Sequence, residues 1–174
     1  MLGNTYDTQI CSIARALEVV GERWTLLILR DATFAGTTRY VEFQRRLGIA
    51  TNVLSDRLDG LVRQGLMVRR GGDRDGVDYD LTDKGRDLTT ALAALTEWGD
   101  RYAAPDGPPI VYSHAMCGGT VRAALVCSGC GNELDPAEVR SAAGPGMPSA
   151  YLERMRGLRR GSARQDPQPS GQAS

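Results

Sequence analysis

The chain has 174 residues, of which 41% are hydrophobic and 24% charged, a composition typical of one folded domain with a small annex. Its 21 basic and 21 acidic residues cancel, which excludes a uniformly basic protein that coats nucleic acid without specificity. No apolar run approaches the roughly 18 residues of a membrane span, and residues 1–10 have neither the basic nor the apolar region of a secretory signal. We therefore expect a cytoplasmic protein.

The first part of the chain predicts three short helices. Residues 11–20 and 22–35 have apolar side chains at helical spacing and are separated by Gly21. On the first helix, one side is apolar and is formed by Ile13, Ala14, Leu17 and Val20. Residues 40–47 follow as a third helix that ends at Gly48, because glycine tolerates the left-handed C-cap.

A fourth helix is predicted over residues 51–64, with Thr51 as its N-cap and Gly65 after its end. Its inner stripe is apolar and is formed by Leu54, Leu58, Leu61 and Val62. The opposite side is polar and is formed by Asn52, Asp56, Asp59 and Arg63, with Ser55 on the flank. We expect this polar side to face outward.

A β-hairpin and a long helix come next. Residues 66–70 change to a strand-like period, and residues 77–81 alternate apolar and polar side chains as a half-buried strand does. Residues 71–76 form a charged, glycine-bounded turn between them. Thr82 is then the N-cap of a helix that continues to about Tyr102, with a stripe formed by Leu88, Leu92, Leu95 and Trp98.

The order helix, glycine turn, helix and hairpin predicts a winged helix-turn-helix, a mainly α fold with a small β-hairpin wing. The charge distribution agrees, since residues 39–74 hold eight Arg and four acids while residues 75–110 hold eight acids and three bases. The helix at 51–64 is then the recognition helix in a major groove, and the wing contacts phosphates. The candidate DNA-binding residues are Arg39, Arg45, Thr51, Asn52, Ser55, Asp56, Arg57, Arg63, Arg69, Arg70 and Arg74.

Each group of candidates suits a different part of DNA. Asn52 matches adenine, Arg57 or Arg63 matches guanine, and arginines on the wing neutralise phosphate without reading sequence. The alternative is an ordinary amphipathic helix whose arginines form a solvated face. Asp56 and Asp59 favour that alternative because carboxylates repel phosphate, although Asp56 can also accept a hydrogen bond from a cytosine amine.

Several segments resemble the HxlR family of regulators over about residues 10–103. They are Cys11-Ser12-Ile13, Val20 to Arg30, Tyr40 to Leu47, Asn52 to Leu58, Gly65-Leu66-Met67 and Tyr79 to Thr82. The resemblance implies a dimeric, MarR-like winged-helix transcription factor on a (pseudo)palindromic operator. Ala50 replaces the usual Ser cap, and Asp56 stands where basic or neutral residues are common, which leaves the operator sequence open.

A homodimer is also expected from the last helix of the winged domain. Its stripe, with Ala91 and Tyr102 beside it, is more apolar than one small domain can cover. A two-fold dimer would place two recognition helices about one DNA turn apart. The alternative is that the stripe packs within its own chain, on the C-terminal annex.

The single histidine and three of the four cysteines lie in residues 110–143. They form two copies of one pattern, in which two ligands three residues apart are followed by glycine: His114 and Cys117, then Cys127 and Cys130. One imidazole and three thiolates suit tetrahedral, structural Zn²⁺, so we predict a zinc-ribbon-like annex. The alternatives are a redox pair of Cys127 and Cys130, unrelated buried thiols, or a zinc site that releases its metal on oxidation.

The predicted organisation has five parts. Residues 1–10 are a lead, 11–103 the DNA-binding and dimerisation domain, 104–109 a linker, 110–143 the annex and 144–174 a mostly disordered tail.

No catalytic motif is present: there is no P-loop or G-x-S-x-G, and His114 lacks the H-x-E glutamate of zinc deaminases. We therefore predict that the protein is not an enzyme.

Cys11 is a candidate redox sensor. It begins the first helix, where a thiol can have a lowered pKa and react with oxidants or electrophiles. The family resemblance implies the same role, because several members are thought to sense quinones, aldehydes or oxidants through a cysteine at this place. The alternatives are a packing role, a disulfide between the Cys11 residues of two chains, or a small apolar inducer bound between the first helices and the dimer helix.

For the whole protein, the alternative function is a zinc-stabilised protein-interaction module without specific DNA binding.

Overall fold

The elements follow one another in the order that the sequence predicts. The computed structural model describes Tyr6, residues 9–71 and residues 76–153, and divides the chain into compact units 1–133 and 134–174. Within these described residues the elements are α1 (Ser12–Val20), α2 (Arg23–Phe34), α3 (Tyr40–Leu47), α4 (Thr51–Arg63), β1 (Met67–Arg70), β2 (Asp78–Leu81), α5 (Asp83–Arg86), α6 (Thr89–Ala103) and the 3₁₀ helix η1 (Pro136–Glu138). The mainly helical architecture with a small antiparallel hairpin is confirmed.

The core of the first unit surrounds α2. This helix contacts α1, α3, α4, α6 and β2, and Ile28 and Leu29 on it are fully buried. The other large, fully buried side chains are Phe43, Leu54, Leu58, Leu61, Leu66 and Met67. Burying each such side chain stabilises the fold by roughly 1.5–3 kcal/mol, so the apolar stripe of α4 is a main source of stability. The same burial fixes which side of α4 faces outward.

The wing is anchored to the loop before α3. Strands β1 and β2 pair antiparallel, with Met67 opposite Leu81 and Arg70 opposite Asp78. The Tyr79 N–H donates to the Thr38 carbonyl oxygen at 2.8 Å, and the Thr38 hydroxyl donates to Asp78 Oδ1 at 3.0 Å. These bonds set the base of the hairpin relative to the helices. The predicted turn at 71–76 is described only at its two ends, and Arg74 lies outside the described residues.

Two local predictions about helix ends are wrong. The N-cap of α4 is Ala50, in extended conformation without a side-chain cap, and Thr51 is the first helical residue. The single helix predicted from Thr82 to Tyr102 is divided into α5 and α6. Thr82 does cap α5, since its hydroxyl oxygen accepts a hydrogen bond from the Gly85 N–H at 3.1 Å. The helix breaks because the Leu88 N–H bonds to the Gly85 carbonyl oxygen three residues earlier, at 3.3 Å, instead of four residues earlier.

The apolar stripes of the first and last helices of the winged domain are buried only in part. On α1, Ala14 and Val20 are buried, but Ile13 and Leu17 are 69% and 44% exposed. In the other stripe, Leu92 on α6 is buried, and Leu88, just before α6, is half-buried. The rest of that stripe, with the neighbouring aromatic residue, lies at the surface: Leu95, Trp98 and Tyr102. The core is too small to cover these side chains, and we call the five exposed residues of α1 and α6 the apolar face.

The second unit begins at Leu134. Its η1 helix has a reciprocal cap, in which Asp135 Oδ1 accepts from the Ala137 N–H and Glu138 Oε2 accepts from the Asp135 N–H. Residues 149–153 are helical, and residues 154–174 of the predicted disordered tail lie outside the described part of the chain. In the described ranges, no helix has the length and apolar character needed to cross a bilayer.

Candidate nucleic-acid interface

The outward side of α4 is polar, as its periodicity predicts. Thr51, Asn52, Asp56 and Arg63 are exposed, and the buried Leu54 and Leu58 lie on the opposite side. A helix with a polar face of this kind can enter the major groove of B-DNA. The face offers an amide, a carboxylate and a guanidinium, which are groups that match adenine, cytosine and guanine edges, respectively.

The first turn of α4 is held by α3. The Tyr40 hydroxyl donates to the Thr51 carbonyl oxygen at 2.8 Å and lies 3.1 Å from the Ser55 hydroxyl oxygen. Ser55 is half-buried. Its hydroxyl therefore helps to position α4, a role that the sequence pattern did not indicate because it depends on a tyrosine from the preceding helix.

Arg57 points away from the exposed face of α4. It is half-buried, and its Nη2 lies 3.5 Å from Glu22 Oε2, at the start of α2. Its Nε is buried and, among the described residues, has no hydrogen-bond partner. This position favours a structural link between α4 and the α1–α2 turn, and it leaves Arg63 as the exposed arginine of α4.

The remaining predicted arginines lie on the loop before α3, on α3 itself and on the wing. Arg45 and Arg69 are exposed. Arg39 Nε lies 3.8 Å from Asp78 Oδ1, and Arg70 Nε lies 3.0 Å from Asp80 Oδ2. The last two side chains are largely exposed, so these ion pairs contribute little to stability and can be exchanged for phosphate contacts.

A buried carboxylate that the sequence analysis missed supports α3. Asp31 on α2 is buried, and its Oδ1 lies 2.8 Å from Arg30 Nη2. Its Oδ2 lies 3.3 Å from Arg46 Nε, on α3. An acidic residue within the apolar run of α2 is the sequence signal that could have indicated such a pair, because a buried charge needs a partner.

Cys11 is the N-cap of α1, and its thiol is exposed. The nearby backbone N–H groups of Ala14 and then Ile13, at the start of α1, lower the pKa of this thiol. The larger thiolate fraction makes it more reactive at neutral pH. The structure thus places Cys11 where attack by an electrophile is sterically possible.

The predicted metal ligands form two separate pairs. His114 Nδ1 lies 3.2 Å from Cys117 Sγ. Backbone N–H groups of Cys130 and Gly129, and then the Cys130 side chain, lower the pKa of Cys127. In the described part of the chain, no three His, Cys, Asp or Glu side chains lie close enough together to hold a metal ion. The structure therefore does not support an assembled zinc ribbon, because each pair is held by hydrogen bonds within its own turn.

The segment before and between these pairs packs on the winged domain. The ring of Tyr112 stacks on Phe34 of α2, with 4.0 Å between ring centroids. The Ala123 N–H donates to Glu97 Oε2 on α6 at 3.1 Å. Between α6 and this segment lies a cavity of about 560 Å³ with a largely apolar lining, which includes Phe34, Ala93, Ile110, Tyr112 and Val121.

Comparison with known proteins gives consistent matches. A family model described as HxlR-like helix-turn-helix matches residues 19–107. An uncharacterized HTH-type transcriptional regulator of Mycobacterium tuberculosis is 46% identical over 139 residues, which cover 78% of this chain and 87% of that protein. A match of this length cannot fit within residues 1–107, so the similarity extends beyond the winged domain.

Two solved structures resemble the chain over most of its length. The candidate transcription factor PA1607 has a TM-score of 0.71 and 37% identity, and the match covers 80% of this chain and 99% of that one. The candidate transcription factor PA1374 from Pseudomonas aeruginosa has a TM-score of 0.59 and 36% identity, over 83% of this chain and 99% of that one.

Proposed function

Because this chain belongs to the HxlR-like helix-turn-helix family, we propose that it acts as a homodimer on a (pseudo)palindromic DNA operator and responds to a small molecule or a redox signal. The chain is a helix-turn-helix transcriptional regulator and not an enzyme, since the family and the relatives are transcriptional regulators. The proposal concerns the assembly, the DNA contacts and the signal.

The observation that carries the proposal is the outward polar face of α4 beside an anchored wing. Asn52, Asp56 and Arg63 are exposed on a helix whose other side is buried. These side chains can therefore reach base edges in a major groove while the opposite side of the helix stays packed in the core. On the wing, Arg69 and Arg70 suit phosphates, which give affinity and orientation but no sequence information.

The apolar face supports the homodimer. Its exposed side chains on α6 continue the stripe that begins with the buried Leu92, so covering them requires a second surface. An exposed apolar patch of this kind marks an interface in a soluble protein. A second copy of the chain, related by two-fold symmetry, would cover it and set the spacing of the recognition helices.

Two places suit the signal. Cys11 has an exposed thiol with a lowered pKa, which suits an oxidant or electrophile. The cavity beside α6 suits a small apolar molecule, because its volume of about 560 Å³ lies within the usual range of ligand pockets. Cys11 lies at the start of α1 and the cavity lies beside α6, so a signal at either place would act on a helix that carries the apolar face.

The alternative is a protein-interaction module without specific DNA binding. Asp56 and Asp59 favour it, because both are exposed on the outer side of α4 and would oppose a phosphate backbone. The net charge of zero agrees with it as well.

Selection from a pool of random DNA duplexes tests the proposal. We expect the full chain to enrich a sequence with two-fold symmetry and half-sites about one helical turn apart. Asn52→Ala should relax the preference at one base pair in each half-site, whereas the control Gln64→Ala, at the exposed end of the same helix, should leave the preference unchanged. Failure to enrich any sequence would favour the interaction module.

A further inference from the structure

The two turns that carry the histidine and cysteine pairs have the same backbone hydrogen bonds. In the first turn, the His114 N–H donates to the Gly119 carbonyl oxygen, and the Gly118 N–H donates to the His114 carbonyl oxygen, both at 2.8 Å. A single antiparallel bridge between Ser113 and Thr120 closes this turn. The first pair is thus held at the tip of a miniature hairpin.

The second turn repeats this arrangement residue for residue. The Cys127 N–H donates to the Asn132 carbonyl oxygen at 2.9 Å, and the Gly131 N–H donates to the Cys127 carbonyl oxygen at 2.8 Å. A bridge between Val126 and Glu133 closes it. Repetition of one turn, with a potential ligand at the same two positions each time, indicates that the turns serve a common chemical purpose.

A left-handed glycine follows the second ligand of each pair. Gly118 has φ 72° and Gly131 has φ 74°, a conformation that L side chains rarely adopt. This tight reversal brings the two ligands of a turn together. The 3.2 Å between His114 Nδ1 and Cys117 Sγ is close to the roughly 3.6 Å that two such atoms span on a tetrahedral zinc ion, from Zn–N and Zn–S bonds of about 2.05 and 2.3 Å.

The chain between the turns is short and is anchored at two points. Arg122, just after the first turn, forms a two-pronged ion pair with Glu133, at the end of the second, and its Nη1 lies 2.6 Å from Glu133 Oε1. This contact lowers the pKa of the Glu133 carboxyl. The hydrogen bond from Ala123 to Glu97 holds the same stretch on α6. Both pairs are therefore tethered to one small region of the chain.

We propose that His114, Cys117, Cys127 and Cys130 of a single chain bind one Zn²⁺ ion in a tetrahedral site that stabilises this region. The structure gives two pre-shaped pairs, and the ion draws the two turns together. On binding, the three thiols release their protons to solvent and His114 binds through a neutral ring nitrogen. Four protein ligands leave no open coordination position, so the role of the ion is structural.

Metal content of the full chain, purified under reducing conditions and supplied with zinc, tests the proposal. We expect about one zinc per chain. Cys127→Ser or Cys117→Ser should weaken zinc binding by more than the 10–100-fold that loss of an outer-sphere partner costs, whereas the control Cys11→Ser should retain the ion. Zinc-supplied protein without zinc, or full retention by Cys127→Ser, would overturn the four-ligand site.

Cobalt substitution keeps the test independent of folding defects in the variants. Wild-type protein titrated with Co²⁺ should develop the visible absorption of a tetrahedral, thiolate-bound ion and saturate at about one equivalent. A spectrum of octahedral cobalt would contradict the ligand set. DNA binding is not part of this readout, so the result stands apart from the proposed function.

A mixing experiment tests whether one chain supplies all four ligands. One variant carries His114→Ala and Cys117→Ser, and the other carries Cys127→Ser and Cys130→Ser. We expect the two, co-expressed and purified together, to remain without stoichiometric zinc while circular dichroism shows the helices of wild type. Recovery of about one zinc per dimer that contains both variants would instead show that the ligands come from different chains.

Discussion

Asp31 shows what the sequence pattern could not predict at the scale of single residues. Periodicity identifies α2 as a buried helix, but the partners of its one buried carboxylate come from a neighbouring position and from α3. Such a pair depends on how two helices pack, which spacing along the chain does not encode. Because Arg46 lies on the helix that braces α4, Asp31 supports the recognition helix indirectly.

We expect Asp31→Ala to lower the free energy of unfolding by about 2 kcal/mol, the loss of charge-assisted hydrogen bonds that link α2 to α3. Both arginines are partly exposed and can return to water, which limits the cost. Urea denaturation at fixed protein concentration measures the change. The control Asp59→Ala removes an exposed carboxylate and should change stability by less than about 0.5 kcal/mol. Equal effects of the two changes would contradict the role of Asp31.

Cys11 gives a prediction about pH. Backbone N–H groups stabilise its thiolate in the folded protein, so the pKa is lower than in the unfolded chain. Alkylation of the peptide that contains Cys11, followed by mass spectrometry over a pH series, should therefore show a midpoint below that of a free thiol. In denaturant the midpoint should rise to the ordinary value. An identical midpoint in both conditions would contradict a thiolate stabilised by the backbone N–H groups at the α1 N-terminus.

The same scale separates what could be predicted about the DNA contacts from what could not. Helical periodicity placed Asn52, Asp56 and Arg63 on the exposed side of α4, and the structure agrees. It could not place Arg57, because the partner Glu22 comes from another turn of the chain. The assignment of individual residues to bases and phosphates stays a prediction.

At the scale of elements, apolar periodicity predicted most helix and strand bounds because each element buries one stripe. The bounds of α3 agree in full, with Gly48 at φ 60° as the predicted left-handed cap. The division between α5 and α6 was missed because tertiary contacts fix the first turn. The Thr82 hydroxyl donates to the Gly65 carbonyl oxygen at 2.7 Å, and Lys84 Nζ donates to the Gln64 carbonyl oxygen at 2.6 Å.

Gly85 in this turn gives a prediction about stability. A Cβ there would lie 2.2 Å from the backbone carbonyl oxygen of Leu66, so Gly85→Ala must displace α5 or β1. We expect a loss of about 1–3 kcal/mol of unfolding free energy, measured by urea denaturation. The matched control is Gly60→Ala in α4, where a Cβ would meet only the flexible end of Arg63 at 3.8 Å. That change should stabilise the protein by about 0.5–1 kcal/mol, and a stabilising Gly85→Ala would contradict the packing of α5.

At the scale of the whole molecule, the apolar face is the feature that a single chain leaves unexplained. The stripe on α6 predicted a dimer, and the structure adds Ile13 and Leu17 of α1 to the exposed apolar residues. Burial along a helix can be read from periodicity, but periodicity does not tell whether the buried side faces its own chain or another. The exposure of these residues on α1 and α6 became visible only in the folded chain, whose small core leaves them uncovered.

If the proposed homodimer forms through the apolar face, Tyr102→Asp should shift it toward monomers, because a carboxylate would be buried in the interface without a partner. Val41→Asp is the matched control, since Val41 on α3 is 66% exposed, as Tyr102 is, but lies outside the apolar face. Sedimentation velocity at several protein concentrations measures the effect. Equal dissociation of wild type and Tyr102→Asp would place the dimer interface elsewhere.

The distribution of histidine and cysteine was also predictable in part. Spacing alone indicated two equivalent ligand pairs, and the two turns have the same backbone hydrogen bonds. The prediction that the two pairs meet on one metal ion is not supported by the described part of the structure, because spacing along the chain does not fix how two turns pack. Whether the pairs meet on one ion is tested by the zinc and cobalt measurements.

The salt dependence of DNA binding tests the central claim most directly. Affinity for the duplex upstream of the protein's own gene should fall steeply with salt, with a log–log slope of about −5 to −7 if six to eight phosphates contact each dimer. Arg39, Arg45, Arg69 and Arg70 on each protomer would supply these contacts. Arg69→Ala should reduce the slope and weaken binding to all duplexes alike. A dimer that binds this duplex weakly and with little dependence on salt would contradict the claim that the chain is a DNA-binding regulator.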